Sequence, residues 1–324
     1  MFRLSFDFSI NFSFRKKNTD KRVSCQKKFT DAAKAVIQRQ SSLRAQSTID
    51  NYQTALRSFV SYAGAEITMS NINSQLIEGY QQWLTSQQVC LNTVSCYMRS
   101  LRSLMHLACP DQDALALFKQ VFTGKKRTEK RSITISDINR LTQLRLTGKT
   151  SLAFSRDIFL FSVYALGMPF VDIAYLRKSQ IVDGYICYQR HKTKQPIRVL
   201  LEQPMQQIIN RYWCSDGPYV FPILSSEDAS DCNHQYAMAL ARYNRHLRKL
   251  GPLIGLQHPL TSYVARHSWA SIAYQSDVEL AVISKAMGHT SPNTTLTYLR
   301  EIDDQRIDAA NSRLLEKLAP DAHE

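Results

Sequence analysis

The sequence predicts a mainly α-helical protein with one small β-sheet, an α+β arrangement spread over two domains. Three observations lead there. Apolar side chains recur at helical spacing from Ser47 to Ala108. Short strand-like segments around an Asp183-Gly184 turn interrupt an otherwise helical second half. The chain's 324 residues exceed the roughly 250–300 at which a single core stops growing. With 44% apolar and 21% charged residues the chain can bury real cores, which excludes a disordered polycation.

The amino terminus comes first. Phe2, Leu4, Phe6, Phe8, Ile10, Phe12 and Phe14 occupy alternate positions, the signature of a half-buried strand. Asp7 breaks any apolar core a signal peptide would need. A Lys- and Arg-rich stretch follows from Arg15 to Lys28, so residues 1–45 read as a basic extension, either a DNA-contacting arm or a poorly ordered tail.

Residues 46–124 read as a small helical domain. Tyr52, Leu56, Phe59 and Ala63 form one stripe; Leu76, Ile77, Tyr80, Trp83 and Leu84 form a second. Asn92-Thr93 opens a third helix carrying Val94, Met98, Leu101, Met105 and Ala108, and Pro110 closes it. Arg99 and Arg102 lie off that stripe, on a face that is either merely solvated or phosphate-contacting. Lys125, Lys126, Arg127, Lys130 and Arg131 then put five cations in a seven-residue linker, assigned to 125–135. Such a run is commonly a solvated connector; between two domains it also suits a strap across DNA phosphates.

The second domain, 136–324, starts with a helix capped at Ser136-Asp137 and a buried helix from about Phe154 to Leu166. Strands are expected at Ile181-Val182, Tyr185 to Tyr188 and Ile197 to Leu201, with Arg190 to Lys194 at a cationic hairpin tip. Helices follow at about His234 to Lys249, Thr261 to Tyr274 and Val278 to Met287. A short helix starts at Ser291-Pro292, and a last one carries Ile307, Ala310, Leu314, Leu315 and Leu318.

Charge is divided unevenly. Of the formal +14, residues 1–131 hold +11 and the remainder +3. That points to a polyanionic partner gripped mainly by the first part of the chain, although charge alone does not separate nucleic acid from an anionic membrane surface. No stretch is apolar over the roughly 18 residues of a membrane span. Seven scattered cysteines without a C-x-x-C pair read as free thiols in a reducing, cytoplasmic compartment, with no metal site.

At Tyr263-Val-Ala-Arg266-His267, Met287-Gly288-His289 and Tyr298 the sequence resembles the tyrosine recombinases, or phage integrases. Lys192, Arg266, His289 and Tyr298 match, in order, that family's hairpin lysine, second arginine, box-III histidine and nucleophile. The resemblance covers roughly Ser47 to Leu318. It implies a SAM-like core-binding domain, a catalytic domain and a carboxy-terminal helix that docks on a neighbouring protomer. It further implies a clamp on double-stranded DNA, tetramers on paired sites, accessory DNA-bending proteins in some systems, and no cofactor.

The residue types suit metal-free phosphodiester cleavage. Tyr298 would attack within a positive pocket that helps its phenol, ordinarily of pKa about 10, lose its proton. Arg266 offers bidentate donors that stay charged at physiological pH. Lys192 would protonate the leaving 5′-oxygen, and His289 would donate to the phosphate or help move protons. The product is a 3′-phosphotyrosyl link whose conserved bond energy allows rejoining without ATP.

Two departures stand out. Tyr263 occupies a position where many members carry histidine. At Leu166-Gly167-Met168-Pro169-Phe170-Val171-Asp172, Pro169 stands where the family's first arginine belongs. Arg156, Arg177 and Arg190 are the candidates to replace it, Arg156 lying about 15 Å along its helix from Leu166. The expected function is site-specific recombination of a mobile element, giving integration, excision or inversion. A catalytically impaired DNA-binding regulator is the alternative, and a topoisomerase-like or telomere-resolving enzyme a further one.

Overall fold

The computed structural model describes residues 27–110, 113–126, 132–213, 215–225, 227–289, 292–296, 311, 312 and 315. The alternating segment 2–14, Arg127, Lys130, Arg131, Tyr298 and most of the expected last helix lie outside them. The chain divides into two compact units, Met1–Thr128 and Glu129–Glu324.

The first unit is helical: α1 (Phe29–Gln40), α2 (Gln46–Ala63), α3 (Ser74–Ser86), α4 (Leu91–Ala108) and the short α5 (Ala114–Leu117). Assigning all of 1–45 to an extension needs correction, because α1 is part of this core. Phe29 and Ala33 are fully buried and Val36 and Ile37 nearly so. They recur at i, i+4, i+7 and i+8, one apolar face of a helix, and the flanking lysines mask the pattern. Phe59 makes edge-to-face contacts with Phe29 and Tyr80 at centroid distances of 5.7 and 5.2 Å, an arrangement that aromatic quadrupoles favour.

Polar side chains tie the end of this unit to α4. Asn92 donates to the Lys126 carbonyl at 2.9 Å and accepts from its N–H at 2.8 Å, while the Ser95 hydroxyl donates to the Gly124 carbonyl at 2.6 Å. Lys125 and Lys126 are thereby held, exposed, beside the amino-terminal half of α4, on which Arg99 is also exposed and Arg102 half-buried.

In the second unit α6 (Ile135–Gln143) starts from a capping box in which Thr134 and Asp137 satisfy each other's backbone N–H groups. The cap is therefore Thr134 rather than Ser136. Helix α7 (Thr150–Tyr164) buries Ile158, Phe159, Leu160, Phe161 and Val163 on successive faces, as expected of a helix surrounded by others. It packs against α9 (Gln203–Tyr212), α10 (Ala229–Leu253) and α11 (Ser262–Gln275). The short α8 (Phe170–Ala174) precedes an antiparallel sheet in the order β1 (Ile181–Val182), β2 (Tyr185–Gln189), β3 (Pro196–Leu200). The unit continues through α12 (Leu280–Ala286) and α13 (Pro292–Leu296). Among the described residues no helix is long and apolar enough to cross a membrane.

The register Ile186↔Val199 and Tyr188↔Ile197 places four buried side chains on one sheet face. Strands alternate with period two, so Arg190, two residues beyond Tyr188, falls on the same inner face. It is 6% exposed.

Candidate active site

Two arginines from segments far apart in the sequence meet at the carbonyl oxygen of Met287, the residue that closes α12. Arg266 reaches it from α11 with Nη2 at 2.5 Å, and Arg190 reaches the same oxygen from the end of β2 through Nη1. Arg266 also donates Nη1 to the Gly167 carbonyl at 2.9 Å, and its Nη2 lies 3.1 Å from His289 Nε2. The other ring nitrogen, Nδ1, lies 2.8 Å from the Thr295 hydroxyl on α13.

Two glycines allow this approach. Both adopt left-handed backbone, Gly167 at φ +70° and Gly288 at φ +63°, which glycine alone accepts readily. A Cβ on Gly167 would stand 3.0 Å from Arg266 Cα, and one on Gly288 would stand 2.8 Å from Ile197 Cδ1 and 3.0 Å from Arg190 Cγ. The turn at Gly167 therefore lets its carbonyl meet Arg266, and the turn at Gly288 lets the hairpin close over α12.

Asp172, at the end of the Leu166 to Asp172 segment, anchors the hairpin. Its Oδ1 accepts the His191 N–H at 2.8 Å and its Oδ2 lies 3.0 Å from Arg190 Nε. Asp172 is 4% exposed, and burial raises its pKa while the His191 N–H and the Arg190 charge oppose that rise. The ion pair is not aligned as a hydrogen bond, so Arg190 Nε and Asp172 Oδ2 have no hydrogen-bond partner among the described residues.

The three arginines weighed as substitutes for the missing one differ in surroundings. Arg156 is committed to Asp157 at 2.7 Å and to the Leu144 carbonyl at 2.6 Å. Arg177 pairs with Glu227 at 2.9 Å and lies over the Tyr219 ring. Arg190 alone of the three shares an acceptor with Arg266.

Lys192 is exposed at the hairpin tip, where Thr193 donates to the Gly288 carbonyl at 3.3 Å. His289 feels it: burial first, then the charges of Arg266, Arg190 and Lys192, hold the imidazole pKa down to about 4. Tyr263 lies one turn before Arg266 on α11, 55% exposed and edge to face with His267 at 4.9 Å. Asp172 and Thr295 are the site residues that sequence reasoning missed. Asp172 could have been found from its place at the end of the glycine-containing segment, whereas Thr295 had no signal beyond lying three residues before Tyr298.

Two nearly buried guanidinium groups share one carbonyl oxygen, with a half-buried histidine beside them and an exposed lysine at the hairpin tip, donors of the kind that hold phosphate-type oxyanions. Residues 28–116 match the phage integrase SAM-like domain and residues 120–305 match the phage integrase family. The chain belongs to that family, the site-specific tyrosine recombinases, which cleave and rejoin DNA strands. It is 22% identical over 280 residues to a tyrosine recombinase of Thermosipho africanus strain TCF52B, spanning 82% of this chain and 92% of that protein. It is likewise 22% identical over 264 residues to tyrosine recombinase XerD of Listeria innocua serovar 6a, spanning 78% and 87%. Its fold matches a lambda integrase tetramer bound to a Holliday junction, with TM-score 0.65 and 16% identity over 89% of this chain and 83% of that one. It also matches the Tn1549 transposon integrase in complex with transposon right-end DNA, with TM-score 0.64 and 10% identity over 89% and 100%.

Proposed function

We propose that this recombinase works with Arg190 in place of the family's first arginine, for which Pro169 has been substituted, and with Tyr298 as nucleophile. The observation that carries this reading is the shared acceptor: Arg190 Nη1 and Arg266 Nη2 both donate to the Met287 carbonyl. Holding two like charges together out of water is costly. Asp172 faces one of these charges, that of Arg190; an entering phosphodiester supplies the further balancing charge, and its two non-bridging oxygens take the two guanidinium groups. Lys192 then protonates the leaving 5′-oxygen, and Tyr263, exposed one turn before Arg266, offers a hydroxyl to the same phosphate.

With Arg190 as the second cation, this reading favours an active enzyme over the binding-only alternative. The test is a nicked core-site duplex incubated with the protein and run under denaturing conditions. A protein–DNA adduct is expected from the wild type and none from Tyr298→Phe. A wild type that shifts the duplex in native gels yet leaves no adduct would sink the recombinase reading for this chain.

Double-stranded DNA is the proposed partner, held by Arg99, Arg102, Lys125 and Lys126 together with Arg127, Lys130 and Arg131 of the linker at 125–135. Solved relatives are bound as a dimer on a core site and as a tetramer on a Holliday junction, which supports a homotetramer on paired sites here, with the last helix docking on a neighbouring protomer. Phosphate neutralisation releases counterions, so log K falls with log salt by about 0.9 per contact. Replacing Lys125 and Lys126 by alanine is expected to flatten that slope by about 2 in binding titrations across salt concentration. An unchanged slope would place both lysines off the DNA.

A further inference from the structure

We infer that Thr295 is a positioning residue: it holds His289 as the Nδ1–H tautomer and so presents Nε2 as the proton acceptor of the site. The inference rests on the recombinase reading above and assigns a direction to the histidine's chemistry.

The argument follows from donors and acceptors. A guanidinium has only donors and does not lose its proton in proteins. Arg266 Nη2, 3.1 Å from His289 Nε2, must therefore face a lone pair there. A neutral imidazole with a lone pair on Nε2 carries its hydrogen on Nδ1, and Nδ1 faces the Thr295 hydroxyl at 2.8 Å. Thr295 is fully buried, so this acceptor is in place without relying on bulk water. An imidazolium would turn an Nε2–H against the Arg266 donors. The surrounding charges act the same way: Arg266 on α11 and Arg190 and Lys192 on the hairpin all oppose protonation, as does burial. Asp172, the buried carboxylate nearby, is engaged by Arg190 and the His191 N–H.

In the forward step the Tyr298 Oη–phosphorus bond forms as the phenolic proton moves to His289 Nε2. The bond from phosphorus to the 5′-oxygen breaks, its electron pair stays on that oxygen, and Lys192 Nζ supplies a proton there. The step leaves an imidazolium and a neutral amine, and rejoining returns both protons. An incoming phosphate draws Arg266 Nη2 toward its own oxygens, freeing the Nε2 lone pair when it is needed. Thr295 lies three residues before Tyr298 in the sequence.

The test is 15N NMR of the histidine side chains in the DNA-free protein, with the His289 signals assigned by their loss in His289→Gln. The wild type is expected to show the Nδ1–H pattern at pH 7 and to keep it to pH 5.5. Thr295→Ser should retain both the pattern and adduct formation. Thr295→Val should mix in the Nε2–H form and slow adduct formation roughly 10–100-fold, by analogy with partners that orient metal-bound histidines. An Nε2–H or imidazolium pattern in the wild type at pH 7 overturns the inference, as does a valine variant with unchanged spectrum and rate. If the valine variant fails to fold, the wild-type and serine spectra still decide the tautomer. Nδ1–H in the wild type with no adduct overturns the recombinase reading and, with it, the acceptor role.

Discussion

Arg190→Ala is expected to lower covalent adduct formation about 10²–10³-fold, the usual loss when one preorganised donor to a developing oxyanion is removed. DNA binding should persist, because most of the excess charge lies in residues 1–131. The comparison that gives the result meaning is with the other two arginines. Arg177→Ala removes an exposed pair with Glu227, both side chains about half exposed, and such pairs contribute roughly 0–1 kcal/mol. Its adduct yield should stay near wild type. Arg156→Ala should lower stability, since it strips one of two guanidinium partners from Asp157, which is 2% exposed, while the chemistry of the folded fraction should stay intact. Adduct yields measured per folded molecule on one nicked duplex rank the three. Equal yields from wild type and Arg190→Ala would remove Arg190 from the chemistry.

Asp172→Ala should be the most destabilising single change in the site, by about 3–5 kcal/mol, because it leaves the Arg190 guanidinium buried without its carboxylate. At about 2–4 °C per kcal/mol for a unit of this size, the melting temperature should fall by roughly 6–20 °C. The double variant Asp172→Ala/Arg190→Met should recover much of that loss, since removing both charges is far cheaper than removing one. Calorimetry of the four proteins closes the cycle, and purely additive losses would mean that the pair is not coupled. The recovered double variant should remain inactive in the adduct assay, separating the stability of the hairpin from its chemistry.

Much of this molecule was legible before any coordinates. The stripes of Tyr52, Tyr80 and Met98 lie in helices of one core, because a period of 3.6 leaves little other choice. The Asp183-Gly184 turn joins β1 and β2 where expected, both residues adopting positive φ. Helix α13 begins at Pro292, as its fixed φ and missing N–H favour. Helix α1 went unread, although Phe29, Ala33, Val36 and Ile37 keep helical spacing, because the surrounding lysines looked like an arm.

The active site divides along the same line. The sequence by itself proposed the reacting groups: Arg266, His289, Lys192 and Tyr298 are of the types that metal-free phosphoryl transfer needs, in the order the resemblance implies. Even the inward direction of Arg190 was implicit in the period-two alternation after Ile186 and Tyr188. Only the tertiary structure decided that Arg190, 97 residues from Met287 along the chain, shares the Met287 carbonyl with Arg266, where Arg156 and Arg177 do not. The reason is physical. The acceptor is a backbone oxygen, which carries no residue-type signature, and its approach depends on a left-handed turn at Gly288 that no local pattern aims at a distant hairpin.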